Sequence, residues 1–167
     1  MAKAGNLVER HIQALKQLKG QSVEAGWFES ARYRAGTKGD GKQIPDKQVG
    51  TSIAYVMRVQ EFGATIKRGN ATIVIPARPF MRLAYQNFLK QRKAIQTKIA
   101  KQLIRGDIKP EQALGQIGLA LEGCIVDSIK NGGWEGNAPS TVEKKGFDKP
   151  LIDSAQAWQA VVSKVNP

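Results

Sequence analysis

Histidine occurs once in this 167-residue chain, at His11, and cysteine once, at Cys124. Together they bound what nucleophilic or metal chemistry the chain can do. An imidazole-based metal site needs several histidines at fixed spacing, so none can form. A thiol nucleophile needs a base within hydrogen-bond reach, and His11 is the only imidazole in the sequence. Cys124 lies on the apolar stripe of a helical pattern, where a small core residue is expected. Among the carboxylates, Glu61, Asp148 and Asp153 could meet in the fold, but no spacing ties them into an acid–base pair. The glycines at 36, 39 and 41 sit in polar sequence and not between a strand and a helix, so they lack the context of a phosphate cradle. Neither a Gly-x-Ser-x-Gly elbow nor a Gly-rich loop ending in Lys-Ser/Thr occurs. The expectation is a protein that is not an enzyme and uses no metal or cofactor.

Charge is the stronger signal. The net charge is +12, and from residue 62 to residue 106 there is no Asp or Glu. That stretch holds Lys67, Arg68, Arg78, Arg82, Lys90, Arg92, Lys93, Lys98, Lys101 and Arg105. A basic block this pure fits contact with DNA or with an acidic protein surface; the plainer alternative is a solvated basic face. No apolar run approaches the ~20 residues of a membrane span, and the N-terminus lacks the apolar segment of a secretory signal. A single cysteine allows no internal disulfide, in keeping with synthesis in a reducing cytoplasm.

The elements that must position these residues follow from periodicity. Val8, Ile12, Leu15 and Leu18 recur at helical spacing, so about 7–19 reads as an amphipathic helix capped by Asn6. Val23, Ala25 and Trp27 alternate with polar or small residues and predict a strand. The segment 29–50 is polar and rich in glycine, and reads as a long mobile loop or arm. Thr51 or Ser52 can cap a helix that runs to Phe62, with Gly63 as its stop. The turn Arg68-Gly69-Asn70 predicts a hairpin, closed by Pro76 and Pro79.

A helix over about 80–104, some 35 Å long, places Met81, Ala84, Phe88, Ile95, Ile99 and Leu103 on one face and Lys90, Lys93, Lys98, Lys101 and Arg105 on the other. Pro110 opens a further helix with Leu114, Ile117, Leu121, Cys124, Ile125 and Ser128 on a shared face. Ala138-Pro139-Ser140-Thr141 reads as a loop. Asp153 or Ser154 can cap a short helical turn, and alternation from Trp158 to Val165 predicts a closing strand. The economical architecture is one α+β domain over 1–167, a small antiparallel sheet packed against two long helices.

Three segments in order carry a family resemblance: Val59-Gln60-Glu61-Phe62-Gly63-Ala64; Ile75-Pro76-Ala77-Arg78-Pro79-Phe80-Met81-Arg82; and Ala138-Pro139-Ser140-Thr141 followed by Lys144-Lys145-Gly146-Phe147-Asp148-Lys149-Pro150-Leu151-Ile152-Asp153-Ser154. Over roughly 51–165 the chain resembles phage tail-completion and head–tail joining proteins, the virion-morphogenesis group that includes minor tail protein Z. It departs where that group usually reads Asp-Thr-Gly, since here Asp153-Ser154 is followed by Ala155.

The resemblance implies a structural virion protein at the neck or the top of the tail of a long-tailed phage, assembled in the host cytoplasm. It would form a homo-oligomeric ring, sixfold, around the DNA channel, between the tail tube or tail terminator and the head connector or stopper, with non-specific contact to genomic DNA and none to a membrane. Glu61, Phe62, Gly63, Pro76, Arg78, Pro79, Phe80, Pro150, Leu151 and Asp153 then serve as fold determinants or subunit contacts. Arg78, held extended between two prolines, presents a rigid fork for which Glu61 and Asp153 are the expected partners. Lys90, Lys93, Lys98, Lys101 and Arg105 form the face for DNA or an acidic partner. The alternative is a stand-alone basic nucleic-acid-binding protein, although no helix-turn-helix, zinc or RNA-binding signature is present.

Overall fold

The structure, a computed structural model, describes residues 2–36 and 42–167. Helix α1 spans Ala2–Leu18, starting with Ala2, Lys3 and Ala4, good helix formers that precede Gly5 and Asn6. Asn6 therefore lies inside the helix and does not cap it, a correction to the expected start. The apolar stripe of α1 is left largely open: Val8, Ile12 and Leu15 are 58%, 47% and 63% exposed.

Strand β1, Ser22–Gly26, pairs antiparallel with the last strand, β4, Val162–Asn166, with Val23 opposite Val165 and Ala25 opposite Ser163. Helix α2 spans Ile53–Phe62, and its cap is Ser52, whose Oγ accepts from Tyr55 N at 3.3 Å. Strands β2, Ala64–Arg68, and β3, Ala71–Ile75, form the expected hairpin, with Ile66 opposite Ile73. Helices α3, Phe80–Arg105, and α4, Pro110–Asn131, pack along each other. Gly106, in the left-handed region at φ 78°, ends α3 and donates its N–H to Gln102 O and Leu103 O. Two short helices follow, α5 over Pro139–Lys145 and α6 over Gln156–Gln159.

The fold is α+β, with two long helices packed against small antiparallel sheets. The sheet is divided into two two-stranded ribbons, β1–β4 and β2–β3. Pro76 ends β3 at the root of the hairpin, so that ribbon stops at its own base. The β1–β4 ribbon lies on α4. Its close approach depends on Gly118, where a Cβ would run into the side chain of Ser163 and come within 3.3 Å of Val23 Cγ1.

The core joins Ile53 and Met57 of α2, Phe80, Ala84 and Phe88 of α3, Cys124, Ile125 and Ile129 of α4, and Ala157 and Val161 near the C-terminus. Phe80 is fully buried, with Trp27 edge-on at a centroid distance of 5.7 Å. Burial of one such side chain is worth roughly 1.5–3 kcal/mol. The faces predicted for the long helices hold: Ala84, Phe88 and Ile99 are buried on α3, and Cys124, Ile125 and Ser128 on α4.

Three local expectations are revised. Ala138 to Thr141 is not a loop: Pro139 opens α5 from the first helical turn, where a missing N–H costs nothing. Trp158 belongs to α6 and precedes the closing strand. The stretch 29–50 is partly anchored, and its residues 37–41 lie outside the described residues. Tyr33 N donates to Thr51 O at 3.0 Å, Gly50 N to Tyr33 O at 2.8 Å, and Ile44 N to Gly36 O at 2.8 Å. Tyr33 and Ile44 are buried, so two apolar side chains tie down a segment whose average composition is polar.

Candidate functional site

The motif segments meet at the turn between β3 and α3. Arg78 stands there, 4% exposed, between Pro76 and Pro79. Its backbone N–H donates to Gln60 O at 2.8 Å, fastening the turn to the end of α2. Its guanidinium donates from Nη1 to Gln60 Oε1 at 2.8 Å, from Nε and Nη2 to Glu135 O at 3.3 and 3.2 Å, and from Nη2 to Gly136 O at 3.4 Å. Burial pulls the guanidinium pKa down from its ordinary value, and the charges of Glu135 and Asp148 oppose that shift. The expected partners of Arg78 were Glu61 and Asp153, and neither takes it.

Glu61 is committed elsewhere. Its Oε2 accepts from Met81 N at 2.8 Å and its Oε1 from Arg82 N at 3.4 Å. A carboxylate from α2 thus satisfies first-turn N–H groups of α3 and opposes the positive end of that helix. No local spacing announces such a cap, because donor and acceptor lie on different elements. Gly63 follows Glu61 and Phe62 at φ 72°, and a Cβ there would sit 2.8 Å from Ile75 O and 2.9 Å from Ala77 N. Only glycine allows the end of α2 to approach the end of β3 this closely.

The third motif closes the other side. Asp148 Oδ1 accepts from Asn137 N and Asn137 Nδ2, each at 2.8 Å, beside the Gly136 carbonyl that Arg78 engages. Lys145, 8% exposed, donates from Nζ to Lys149 O at 2.6 Å. Leu151 packs on the core with φ at 63°, and Pro76, Pro79 and Pro150 are half-buried. Asp153 is half-buried near Tyr33. Burial first, and the Asp153 charge second, push the Tyr33 phenol from 10.0 up to about 12. Ala155 adopts φ 64°, a left-handed conformation, at the position where the resembled family usually places glycine. Phe62 is the outlier of the motif residues, 69% exposed.

This junction is built for holding. The carboxylates of Glu61 and Asp148 and the guanidinium of Arg78 are engaged with backbone and amide groups. Cys124 is 6% exposed with Gln91 Nε2 at 3.5 Å, and burial pushes its thiol pKa up, with Asp127 adding to the shift. Among the described residues no three His, Cys, Asp or Glu side chains come together to hold a metal. The side chain of His11 lies outside the described residues.

Two grooves beside α3 differ in character. Lys90, Lys93, Lys98, Lys101 and Arg105 are all exposed and line one groove of about 790 Å³ along the C-terminal half of α3, with Asp107 at its end. The cationic face anticipated from helical spacing is therefore formed. A second, apolar groove of about 390 Å³ lies between β1, α2 and the start of α3, with Trp27, Met57 and Phe80 in its wall. It was not foreseen, nor were Gln60, Glu135 and Gly136 as acceptors for Arg78. Backbone carbonyls leave no residue-type signature, and a groove edge is non-local.

No helix among the described residues is long and apolar enough to cross a membrane. No family model matches the chain, and neither does any curated protein or solved structure.

Proposed function

We propose that the protein is a structural component of a long-tailed phage virion, which completes the tail and joins it to the head as an oligomeric ring, sixfold, around the DNA channel. The observation that carries this reading is the convergence of its motif segments. Residues 59–64 and 75–82 interlock through Gln60, Arg78 and Glu61, and the distant segment 138–154 reaches the same junction through Asp148, which holds Asn137 beside the Gly136 carbonyl that Arg78 engages. A shared motif order is expected to persist when it encodes one packed junction, so the convergence supports the family resemblance. The left-handed Ala155 adds to it, since a glycine in that place would relieve a real backbone constraint. In this reading one face meets the tail tube or tail terminator, another meets the head connector or stopper, and no turnover takes place.

Electron microscopy of phage particles that lack the protein tests this. Filled heads and separate tails are expected, with complete particles restored by adding the protein. Complete, infectious particles in its absence would refute the reading.

A second reading rests on the exposed cations of the α3 groove. As a free nucleic-acid-binding protein, the chain would bind duplex with log affinity falling against log salt by about 0.9 per phosphate contacted. As a ring component it should bind isolated duplex weakly and without sequence preference. Changing Lys90, Lys98 and Lys101 to Glu should block particle completion and leave the fold intact, as exposed substitutions usually do. Tight, sequence-selective binding at physiological salt, lost in that triple variant, would favour the second reading.

A further inference from the structure

We propose that the β2–β3 hairpin of one copy of this chain docks into the apolar groove between β1 and α2 of a second copy, adding to the free edge of β1.

The hairpin is weakly supported by the rest of the molecule. Its strands pair with each other, and neither packs extensively on another element. Cross-strand partners share a face, which puts Ile66, Ile73, Ala64 and Ile75 on one side of the ribbon. Ile66 and Ile73 are 46% and 47% exposed, and Val74, on the other face, is 67% exposed. An isolated two-stranded ribbon is marginal in water, and its two unpaired edges are templates for a further strand.

The groove supplies what the hairpin lacks. Among the described residues, strand β1 is paired on its β4 side alone. Consecutive residues Glu24, Ala25 and Gly26 line the groove. A strand presents alternate residues through a face and consecutive ones along an edge, so it is the unpaired edge of β1 that opens here. A 150 Å³ apolar cavity can take a benzene, so a groove of about 390 Å³ has room for two or three branched aliphatic side chains.

The occupant is a second copy on grounds of complementarity and size. Free backbone edge meets free backbone edge, and isoleucines meet Trp27, Met57 and Phe80. The hairpin carries Lys67 and Arg68 and no acid, and the edge strand of the groove carries the exposed carboxylate of Glu24. No hairpin residue lines the groove of its own chain. The two surfaces differ, so the contact is head-to-tail, the kind that closes into rings. Five-residue strands bury little, and a contact below about 1,200 Å² in total belongs to the weak class. Isolated pairs should therefore form only at high concentration, while a closed ring engages both surfaces of every subunit. The ring itself rests on the function proposed above; the contact can be tested alone.

The test is photo-crosslinking with Ile73 replaced by benzoylphenylalanine in the full chain at near-millimolar concentration. A dimer-sized product is expected, with the attached peptides mapping to residues 24–28 or 54–62. Ala54→Arg, a half-exposed change to another good helix former in the groove wall, should cut the product at least tenfold without altering far-UV circular dichroism. A probe chain that also carries Ala54→Arg should recover the product when mixed with probe-free parent, because a head-to-tail contact needs one intact hairpin and one intact groove. No product, products mapping elsewhere, or products indifferent to Ala54→Arg overturn the proposal, even where ring density in virions leaves the functional reading standing. The expected product from a protein that virions complete without supports the contact and removes the virion role.

Discussion

Truncation of Arg78 probes the junction most directly. In Arg78→Ala, Gln60 Oε1 and the carbonyls of Glu135 and Gly136 lose a charged donor. Hydrogen bonds to charged groups contribute about 1.5–3 kcal/mol each. Glu135 and Gly136 are exposed residues, so their carbonyls can recruit water, and the low end of that range applies. Loss of the buried aliphatic stem adds about 0.8 kcal/mol per methylene. Against this stands the cost of desolvating the guanidinium, which the downward pull on its pKa reveals. The balance is a loss of about 3 kcal/mol, or roughly 6–12 °C in Tm for a domain of this length.

Arg78→Lys keeps the charge and most of the stem but reaches one acceptor at a time, so it should recover about half. Urea denaturation of the parent, both variants and the Gln60→Ala, Arg78→Ala double variant measures these values. The double variant should show a coupling of at least about 0.5 kcal/mol. A parent-like midpoint for Arg78→Ala, or full recovery by lysine, would refute the reasoning.

Ala155→Gly should raise stability by roughly 0.5–1 kcal/mol, because relief of an alanine at φ 64° outweighs the entropy added to the unfolded chain; a lower Tm would show that Ala155 packs more than it strains. The phenol of Tyr33 is neutral in the fold and pushed up to about 12. A raised folded-state pKa gives stability that is full below about pH 10 and lost as pH rises towards 12, so the stability difference between parent and Tyr33→Phe should shrink by about 2–3 kcal/mol across that window. Constancy of that difference would place Tyr33 in solvent. Cys124, buried and with its thiol pKa raised, should react with a thiol reagent roughly a thousandfold or more slowly in the native state than in denaturant; fast native labelling would mean the α3–α4 seam opens.

What was legible in the sequence was whatever obeys a local period or a local stop. The buried faces of α3 and α4 and the cationic face of α3 follow from 3.6-residue spacing, and the hairpin from Arg68-Gly69-Asn70 between alternating strands. Gly63 could be read as the end of α2, although its close approach to Ile75 and Ala77 could not. Illegible were the pairings that cross the chain. The capping of α3 by Glu61 spans 20 residues from acceptor to Met81 N, and the bonds of Arg78 to Glu135 span 57. The acceptors are backbone carbonyls, which every residue type carries, so composition says nothing of them. The division into two ribbons depends on where β1 finds its partner, at the opposite end of the sequence. Likewise α1 has an amphipathic pattern, yet burial of its stripe is a tertiary event that this chain does not complete.

The junction, the hairpin and the basic helix form one device when their connectivity is considered. Strand β3 ends at Ile75 and α3 begins at Phe80, with Arg78 between them. The pair of prolines and the guanidinium bonds to Gln60, Glu135 and Gly136 fix the direction in which the hairpin leaves the body relative to the axis of α3. A helix of 26 residues extends about 39 Å from that point, so a small rotation at the junction becomes a large displacement of Lys98, Lys101 and Arg105. In a ring closed through hairpin contacts, the orientation of every basic face would be set by the neighbour's grip on the hairpin and transmitted through this turn. That gives a physical reason for a buried, multiply bonded arginine at this turn: stability alone could be had from apolar packing, whereas a fixed angle between the hairpin and α3, which the proposed ring would need, calls for a planar group that permits one geometry.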